Sequence, residues 1–353
     1  MNLFLLLQRI TKVFVYSYSG LILIYLILRL IFWDKFWLIA LVGNFIPLIL
    51  LPILILPLPA FLVIKKRWFC IISSIACLLL MGWLHTKYFS PQTISFSPET
   101  ISAVNAQPLK IFSLNNSWHK TEPETLVERI KQEKPDIVFL QEITRNHIRK
   151  SFPKLKAEYP YQTSDDLKGY RAAILSKYPI EFKENLHLAG HSEVQQRAII
   201  KIKQQLIIVY NIQTISPWIR LRKILPFLTI PVYEFSERTA EIQDLIERLK
   251  KETLPVIVAG DFNMSEQSQD YYYLKQVLTD SWRVSGIGLG LTWPAGWRLD
   301  FLIPNSTWKL DYPLFRIDYI WYSNHWVSQS AEVLPSTGSD HLPLVAELVL
   351  RKS

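Results

Sequence analysis

An α+β domain behind a membrane anchor is the architecture this chain predicts, on three observations. The first 85 of its 353 residues are almost uncharged, the rest alternates short apolar runs with amphipathic helical patterns, and several of those runs end in Asp, Asn or Glu. The anchor comes first. Val13 to Phe32, Phe36 to Ile64 and Trp68 to Leu84 each approach or exceed the ~20 residues that cross a bilayer, and only Asp34-Lys35 and Lys65-Lys66-Arg67 separate them. Three such runs in succession argue against buried core helices, and against a cleaved signal peptide, for which one run suffices. Pro47, Pro52, Pro57 and Pro59 are expected to kink or interrupt the second span, while Trp33, Trp37, Trp68 and Trp83 stand at span ends, where amphipathic rings prefer the interface. Arg9, Lys12, Lys65, Lys66 and Arg67 fall on one side, against Arg29, Lys35 and Lys87 on the other. That bias puts the N-terminus in the cytoplasm and everything after the third span outside. The expectation is a multi-pass cell-membrane protein with an anchor over 1–87, a Ser/Pro/Thr-rich linker over 88–107 and an extracytoplasmic domain over 108–353.

Charge and cysteine content narrow the classes. The chain carries +9 overall, but residues 1–85 hold seven Lys or Arg and one Asp, leaving +3 for the domain. Its basicity is therefore mostly membrane topology, and a nucleic-acid footprint would need a basic face on the domain itself. Both cysteines, Cys70 and Cys77, lie in the third apolar run, so the domain can offer neither a disulfide framework nor a thiolate metal site.

Within the domain, strands are expected near 108–115, 136–142, 172–177, 196–203, 205–213, 255–262, 316–322 and 343–350. Thr121 and Glu124 have capping-box spacing ahead of a helix to about Glu133, and Ser236 is placed to cap a helix reaching Lys251. Between them, Pro217 to Phe235 mixes Trp218, Phe227 and Leu228 with Arg220, Arg222 and Lys223. A buried strand pair is one reading of this insert. Pro226 and Pro231 oppose a regular strand and the cations oppose full burial, so the other reading is a segment lying in the lipid headgroup boundary.

The chemistry is concentrated at strand ends. Val256 to Asn263 is a β-branched run closing on Gly260-Asp261-Phe262-Asn263, and residues two apart on a strand share a face. An ionised Asp can take a proton from water, and an Asn can both donate to an oxyanion and accept from water, which is phosphoester chemistry in outline. The same tetrapeptide is also an ordinary turn after a strand. Four further segments occur in order: Pro108 to Asn115, Asp136 to Gln141-Glu142, Arg316-Ile317-Asp318-Tyr319, and Ser339-Asp340-His341.

This set of motifs resembles the endonuclease/exonuclease/phosphatase superfamily, over roughly residues 108 to 350. Gly169-Tyr170, and Thr292-Trp293-Pro294 ahead of Asp318, are similar to the membrane-attached bacterial branch that includes the vancomycin-resistance type. The resemblance implies a four-layer αββα sandwich of two packed mixed sheets, and a Mg²⁺-dependent phosphoric ester hydrolase, with Mn²⁺ as an alternative ion. It implies that Glu142, Asn115 and Asp340 hold the metal and that Asp261 activates water. Asn263 would hold water or a phosphate oxygen, Asp318 would orient His341 against the phosphoryl group, and Tyr170 would reach the phosphate. Gln213, Asn211 and Arg197 are the expected substrate-binding positions. Where many relatives carry a His after the strand ending near residue 211, this chain has Gln213, which can donate a hydrogen bond but not a charge. Ser117 stands where nucleases often have an acid. The substrate expected from the anchor is a lipid-linked phosphate or pyrophosphate. The alternatives are a membrane-tethered nuclease acting on DNA or RNA, and a catalytically weak binding protein of the same fold.

Overall fold

The computed structural model describes residues 3–54, 82, 108–117, 121–163, 171–191, 195–225, 228–298 and 306–351. The chain divides into two compact units: one takes residues 1–90, the insert Trp218–Glu234 and Gln267–Gln269, and the other takes the rest.

In the first unit, α1 (Leu3–Phe32) is a 30-residue apolar helix, about 45 Å long at 1.5 Å per residue. Its stretch Leu5–Phe32 is the one helix among the described residues long and apolar enough to cross a membrane. The second expected span is not continuous. It breaks into α2 (Trp37–Asn44), α3 (Ile46–Ile49) and a 3-10 turn at Leu51–Leu54, with Pro47 in the first turn of α3, where its missing N–H costs nothing. The expected Trp68 to Leu84 span and the linker lie outside the described residues, Gly82 apart.

The second unit is built from alternation. In chain order it contains β1 (Leu109–Asn115), α4 (Pro123–Glu133), β2 (Ile137–Ile143), α5 (Arg145–Lys150), α6 (Phe152–Leu155), β3 (Tyr161–Gln162), β4 (Arg171–Ser176), β5 (Ile180–Leu186), β6 (Gln195–Ile202) and β7 (Gln205–Gln213). The insert then forms β8 (Trp218–Leu225) and β9 (Leu228–Glu234), which belong to the first unit. The second unit resumes with α7 (Ser236–Leu249), β10 (Val256–Asp261), α8 (Gln269–Leu274), β11 (Thr279–Asp280), α9 (Ser281–Ser285), β12 (Trp297–Arg298), β13 (Lys309–Leu310), β14 (Asp318–Tyr322), β15 (Trp326–Val333) and β16 (Leu344–Leu350). Residue 269, at the start of α8, groups with the first unit.

Two mixed six-stranded sheets result, in the orders β15-β16-β1-β2-β4-β3 and β11-β14-β10-β7-β6-β5. Alternate residues decide the layers. Ile111, Ile137, Phe139, Val209, Ile257 and Ile320 fill one buried cluster shared by both sheets. Phe112, Leu114, Val138 and Leu140 face α4, and Tyr210, Ile212, Val258 and Trp321 face α7. Helix, sheet, sheet and helix layers follow, as expected for an αββα sandwich.

The predicted helix starts differ in detail. The N-cap of α4 is Glu122, without a side-chain cap, because Thr121 Oγ1 bonds the Asn116 carbonyl instead (3.4 Å). Ser236 is the first residue of α7 and Phe235 occupies the cap position. A capping box does form at α5, where Thr144 and His147 satisfy each other's backbone groups.

Candidate active site

Strand direction gathers the polar residues at one level. β1 runs parallel to β2, with Asn115 opposite Gln141, and β7 runs parallel to β10, with Gln213 opposite Asp261. β14 runs antiparallel to β10 and sets Asp318 directly opposite Asp261. Gln213, Asp261 and Asp318 thus form a row across three neighbouring strands, all on the face that carries Val209, Ile257 and Ile320 one or more steps deeper. Two carboxylates facing each other would repel. His341 resolves this, with Nδ1 at 2.9 and 3.1 Å from the Asp318 oxygens and Nε2 at 3.9 Å from Asp261 Oδ2.

The backbone makes two departures from strand geometry here. Gly260 (φ 141°) lies so close to β7 that a Cβ would stand 1.9 Å from the Ile212 carbonyl oxygen, which only glycine tolerates. Glu142 takes a left-handed conformation (φ 51°) in the irregular register between Leu140 and Ile143. Its carboxylate Oε1 accepts from Asn115 Nδ2 (3.0 Å) and Gln213 Nε2 (2.6 Å). Asn115 Nδ2 also donates to Asp261 Oδ2 (3.0 Å), so one amide links the Glu142 and Asp261 carboxylates. Asn263 is left-handed too (φ 47°), which Asn accepts more readily than most residues. Its backbone N–H donates to Asp261 Oδ1 (2.9 Å) and its side-chain amide to the Thr214 carbonyl (2.8 Å).

Electrostatics follow from burial and crowding. Burial pushes the Asp261 carboxyl up to about 7, with His341 opposing and Asp318 adding to the shift. Burial alone would discharge His341, yet Asp318 and Asp261 outweigh it and push the imidazole up to about 10. At neutral pH it is therefore an imidazolium whose Nδ1–H is held by Asp318. Burial also raises Glu142, against the hydrogen bonds from Asn115 and Gln213.

A divalent cation fits this donor set. Asp261, Asp318 and His341 have ligand atoms within 4.8 Å of one another, all buried. However, Nδ1 of His341 is already committed to Asp318, which suits orientation of the ring better than ligation. Glu142 offers oxygen ligands, Asn115 would offer its own with the amide turned over, since its Oδ1 now accepts from Ser117 N–H (2.9 Å), and the Asp340 charge is felt at Glu142. An excess of carboxylates over cations at an oxygen-donor site suits a hard ion such as Mg²⁺.

The expected residues divide clearly. Asn115, Glu142, Gln213, Asp261, Asn263, Asp318 and His341 are brought together. Gln213 differs from expectation in donating to Glu142. Asn211 is fully buried, receives Gln141 Nε2 (2.7 Å) and donates to the Leu140 and Ala173 carbonyls, so it clamps the two sheets and is not a substrate contact. Arg197 lies opposite Tyr210 and pairs with Glu252 (2.7 Å) and Glu184 (3.3 Å), on the outer face and away from the row. Tyr170 lies outside the described residues. Two supporting residues escaped sequence reasoning about roles. Thr292 Oγ1 accepts from the backbone N–H groups of Ile317 and Asp318 (3.2 and 3.3 Å), and Ser339 Oγ donates to the Asn115 carbonyl (2.6 Å) and accepts from His341 N–H (3.1 Å). Thr292 belongs to Thr292-Trp293-Pro294 and Ser339 to Ser339-Asp340-His341, so the sequence carries the signal for both.

A model of the "Endonuclease/Exonuclease/phosphatase family" matches residues 113–341. Among solved structures, the endonuclease/exonuclease/phosphatase from Bacteroides vulgatus is 19% identical, covering 70% of this chain and 100% of that one at a TM-score of 0.51. The family protein from Bacteroides thetaiotaomicron is 20% identical, with 69% and 95% covered and a TM-score of 0.51. D. rerio TDP2, solved with a single-strand DNA product, is 16% identical, with 69% and 99% covered and a TM-score of 0.51. No curated relative matches.

Proposed function

The chain belongs to the endonuclease/exonuclease/phosphatase family, whose members are phosphoester hydrolases, and from that premise we propose a membrane-anchored, Mg²⁺-dependent phosphoesterase acting on a lipid-linked phosphate or pyrophosphate. The observation that carries the chemistry is the line Asp318–His341–Asp261, buried beside the Asn115-linked Glu142 carboxylate. Asp261 is the base that takes a proton from water, oriented by the Asn263 N–H; a carboxylate raised toward 7 is well matched to that task. His341, kept cationic by Asp318, donates through Nε2–H to a phosphoryl oxygen, and supplies the charge that Gln213 lacks. Gln213 and Asn115 instead hold Glu142 in its left-handed turn. A divalent ion held by Glu142, Asn115 and Asp340 would offset negative charge on the phosphoryl oxygens. No covalent enzyme intermediate is required.

The lipid-linked substrate is favoured by α1, which would confine the site near headgroups, and the proposed side is extracytoplasmic by the charge bias of the flanks. Expression as the full chain, followed by a screen with Mg²⁺ against lipid pyrophosphates, phosphodiesters, inositol phosphates and plasmid DNA, tests the reading. Turnover of the lipid-linked substrates supports it; cleavage of DNA alone overturns it. One observation favours that second, nuclease reading. Trp293 stacks on Phe315 (5.9 Å between ring centroids) and lies near Trp297 (5.2 Å) and His341 (6.4 Å), a half-exposed aromatic group able to stack a base.

A further inference from the structure

The insert forms a strand pair, as the first of its two readings had it, but β8 is exposed and not buried. β8 and β9 form a two-stranded antiparallel hairpin with no third strand among the described residues, from Trp218 opposite Glu234 to Leu225 opposite Leu228. Pro231 is tolerated because β9 is an edge strand and needs no second partner. Trp218, Ile219 and Leu221 are 57%, 64% and 77% exposed, and Arg220, Arg222 and Lys223 alternate with and follow them at the surface. Trp218 on one face of β8, and Ile219 and Leu221 on the other, are large exposed apolar side chains interleaved with cations, and mark an interaction surface more than an ordinary solvated hairpin.

The company this hairpin keeps identifies the partner. It belongs to the same compact unit as α1 and α2, not to the sheets from which it emerges. β9 packs on α2, and Asn44 Nδ2 donates to the Tyr233 hydroxyl (3.2 Å). In the same unit Arg29, in the last turn of α1, pairs with Asp34 (2.5 Å) and donates to the Gln267 carbonyl, while Asp34 accepts from the Gln269 N–H. The hairpin therefore shares a unit with the end of the membrane-type helix, and its cations complement anionic headgroups.

We infer that the β8–β9 hairpin is a membrane-seating element: Trp218, Ile219 and Leu221 enter the headgroup boundary of the bilayer that holds α1, while Arg220, Arg222 and Lys223 meet anionic lipid. This rests on the membrane-anchored reading above. Because the hairpin begins at Trp218, five residues after Gln213 ends β7, it ties the catalytic domain to the lipid surface by a second, short connection. Three cations at an anionic surface correspond to about 10²-fold in partitioning.

The test uses the full chain with Cys70 and Cys77 replaced by Ser and Leu221→Cys labelled with an environment-sensitive nitrobenzoxadiazole, in phosphatidylcholine–phosphatidylglycerol vesicles carrying a quencher at headgroup depth. A melting transition like that of the unlabelled chain confirms folding, as expected for so exposed a position. The inference expects blue-shifted emission quenched from within the bilayer, with less quenching once Arg220, Arg222 and Lys223 are changed to Gln. Water-like, unquenched emission overturns it, as does blue-shifted emission that the lipid quencher cannot reach, which would mean a protein partner. Alkaline extraction of the same vesicles separates the two claims. Release of the chain defeats the anchored reading itself, whereas retention with an unquenched label defeats only the hairpin's seat.

Discussion

Replacing Asp318 with Asn asks whether this carboxylate orients and charges His341 or binds metal. The change is isosteric and keeps the β10–β14 pairing and the backbone contacts to Thr292. It replaces the carboxylate at 2.9 and 3.1 Å from Nδ1 by a neutral amide with a single acceptor oxygen, and removes the charge that most strongly holds the imidazole protonated. A hydrogen bond between buried charged groups contributes about 1.5–3 kcal/mol, which at ~1.4 kcal/mol per decade is roughly a 10- to 200-fold loss in kcat/KM. Stability should move little, since the variant also relieves one of two facing acids. The assay is hydrolysis of a chromogenic phosphodiester by the full chain across a Mg²⁺ titration, with melting as control. The reasoning predicts a loss that saturating Mg²⁺ does not repair. An unchanged rate would refute the role, and full recovery at high Mg²⁺ would make Asp318 a ligand, as its place among Asp261 and His341 also permits.

Glu142→Gln, by contrast, should raise the Mg²⁺ concentration needed for half-maximal rate and be largely restored by excess ion, which the same titration measures. Gly260→Ala should cost about 3 kcal/mol or more in urea unfolding, because its Cβ meets the Ile212 carbonyl at 1.9 Å in a backbone conformation closed to alanine. Burial would raise Asp280, but Arg316, bonded to it at 2.6 and 3.1 Å, holds its carboxyl below the ordinary 3.8. A carboxyl depressed in the fold stabilises above its unfolded value and loses that contribution as pH falls through the folded one. Melting temperature should therefore drop below about pH 3.8 in the wild type. Asp280→Asn should flatten that drop and cost about 3–5 kcal/mol at neutral pH by stranding part of the Arg316 charge.

How legible the molecule was depends on which force set each feature. Asp261, Asn263, Asp318 and His341 could be placed because apolar runs such as Val256–Ala259 mark buried strands, and their polar ends have nowhere to go but the site. Glu142 was named, yet its left-handed turn was not readable, since nothing local favours positive φ at a glutamate. Asn211 and Arg197 show where counting along a strand misleads. Asn211 points inward but lies two residues deeper than Gln213, in a dry stretch where its amide binds carbonyls. Arg197 has the opposite parity to Gln196, which pairs with Asn211, and so faces outward. β5 is not legible as a strand because positions such as Glu181, Phe182 and Lys183 are exposed and carry no clean alternation, and the hairpin stood open between a strand pair and an interfacial segment because its prolines and cations opposed regular, buried strands. The second membrane run is legible in hydropathy, and its four prolines mark it for a kink or an interruption without fixing where. Its break at Asn44 to Pro47 reflects helix geometry that hydropathy does not see.

The most direct test of the central claim is the pair of progress curves for wild type and Asp261→Asn on one lipid-linked phosphoester, each recorded with Mg²⁺ and with chelator. The account predicts hydrolysis by the wild type only with metal, and a loss of about 10² to 10⁴ in the variant that added Mg²⁺ leaves in place. Equal rates for the two proteins with Mg²⁺ present would contradict it, because the row of Gln213, Asp261 and Asp318 would then not be where the reaction occurs.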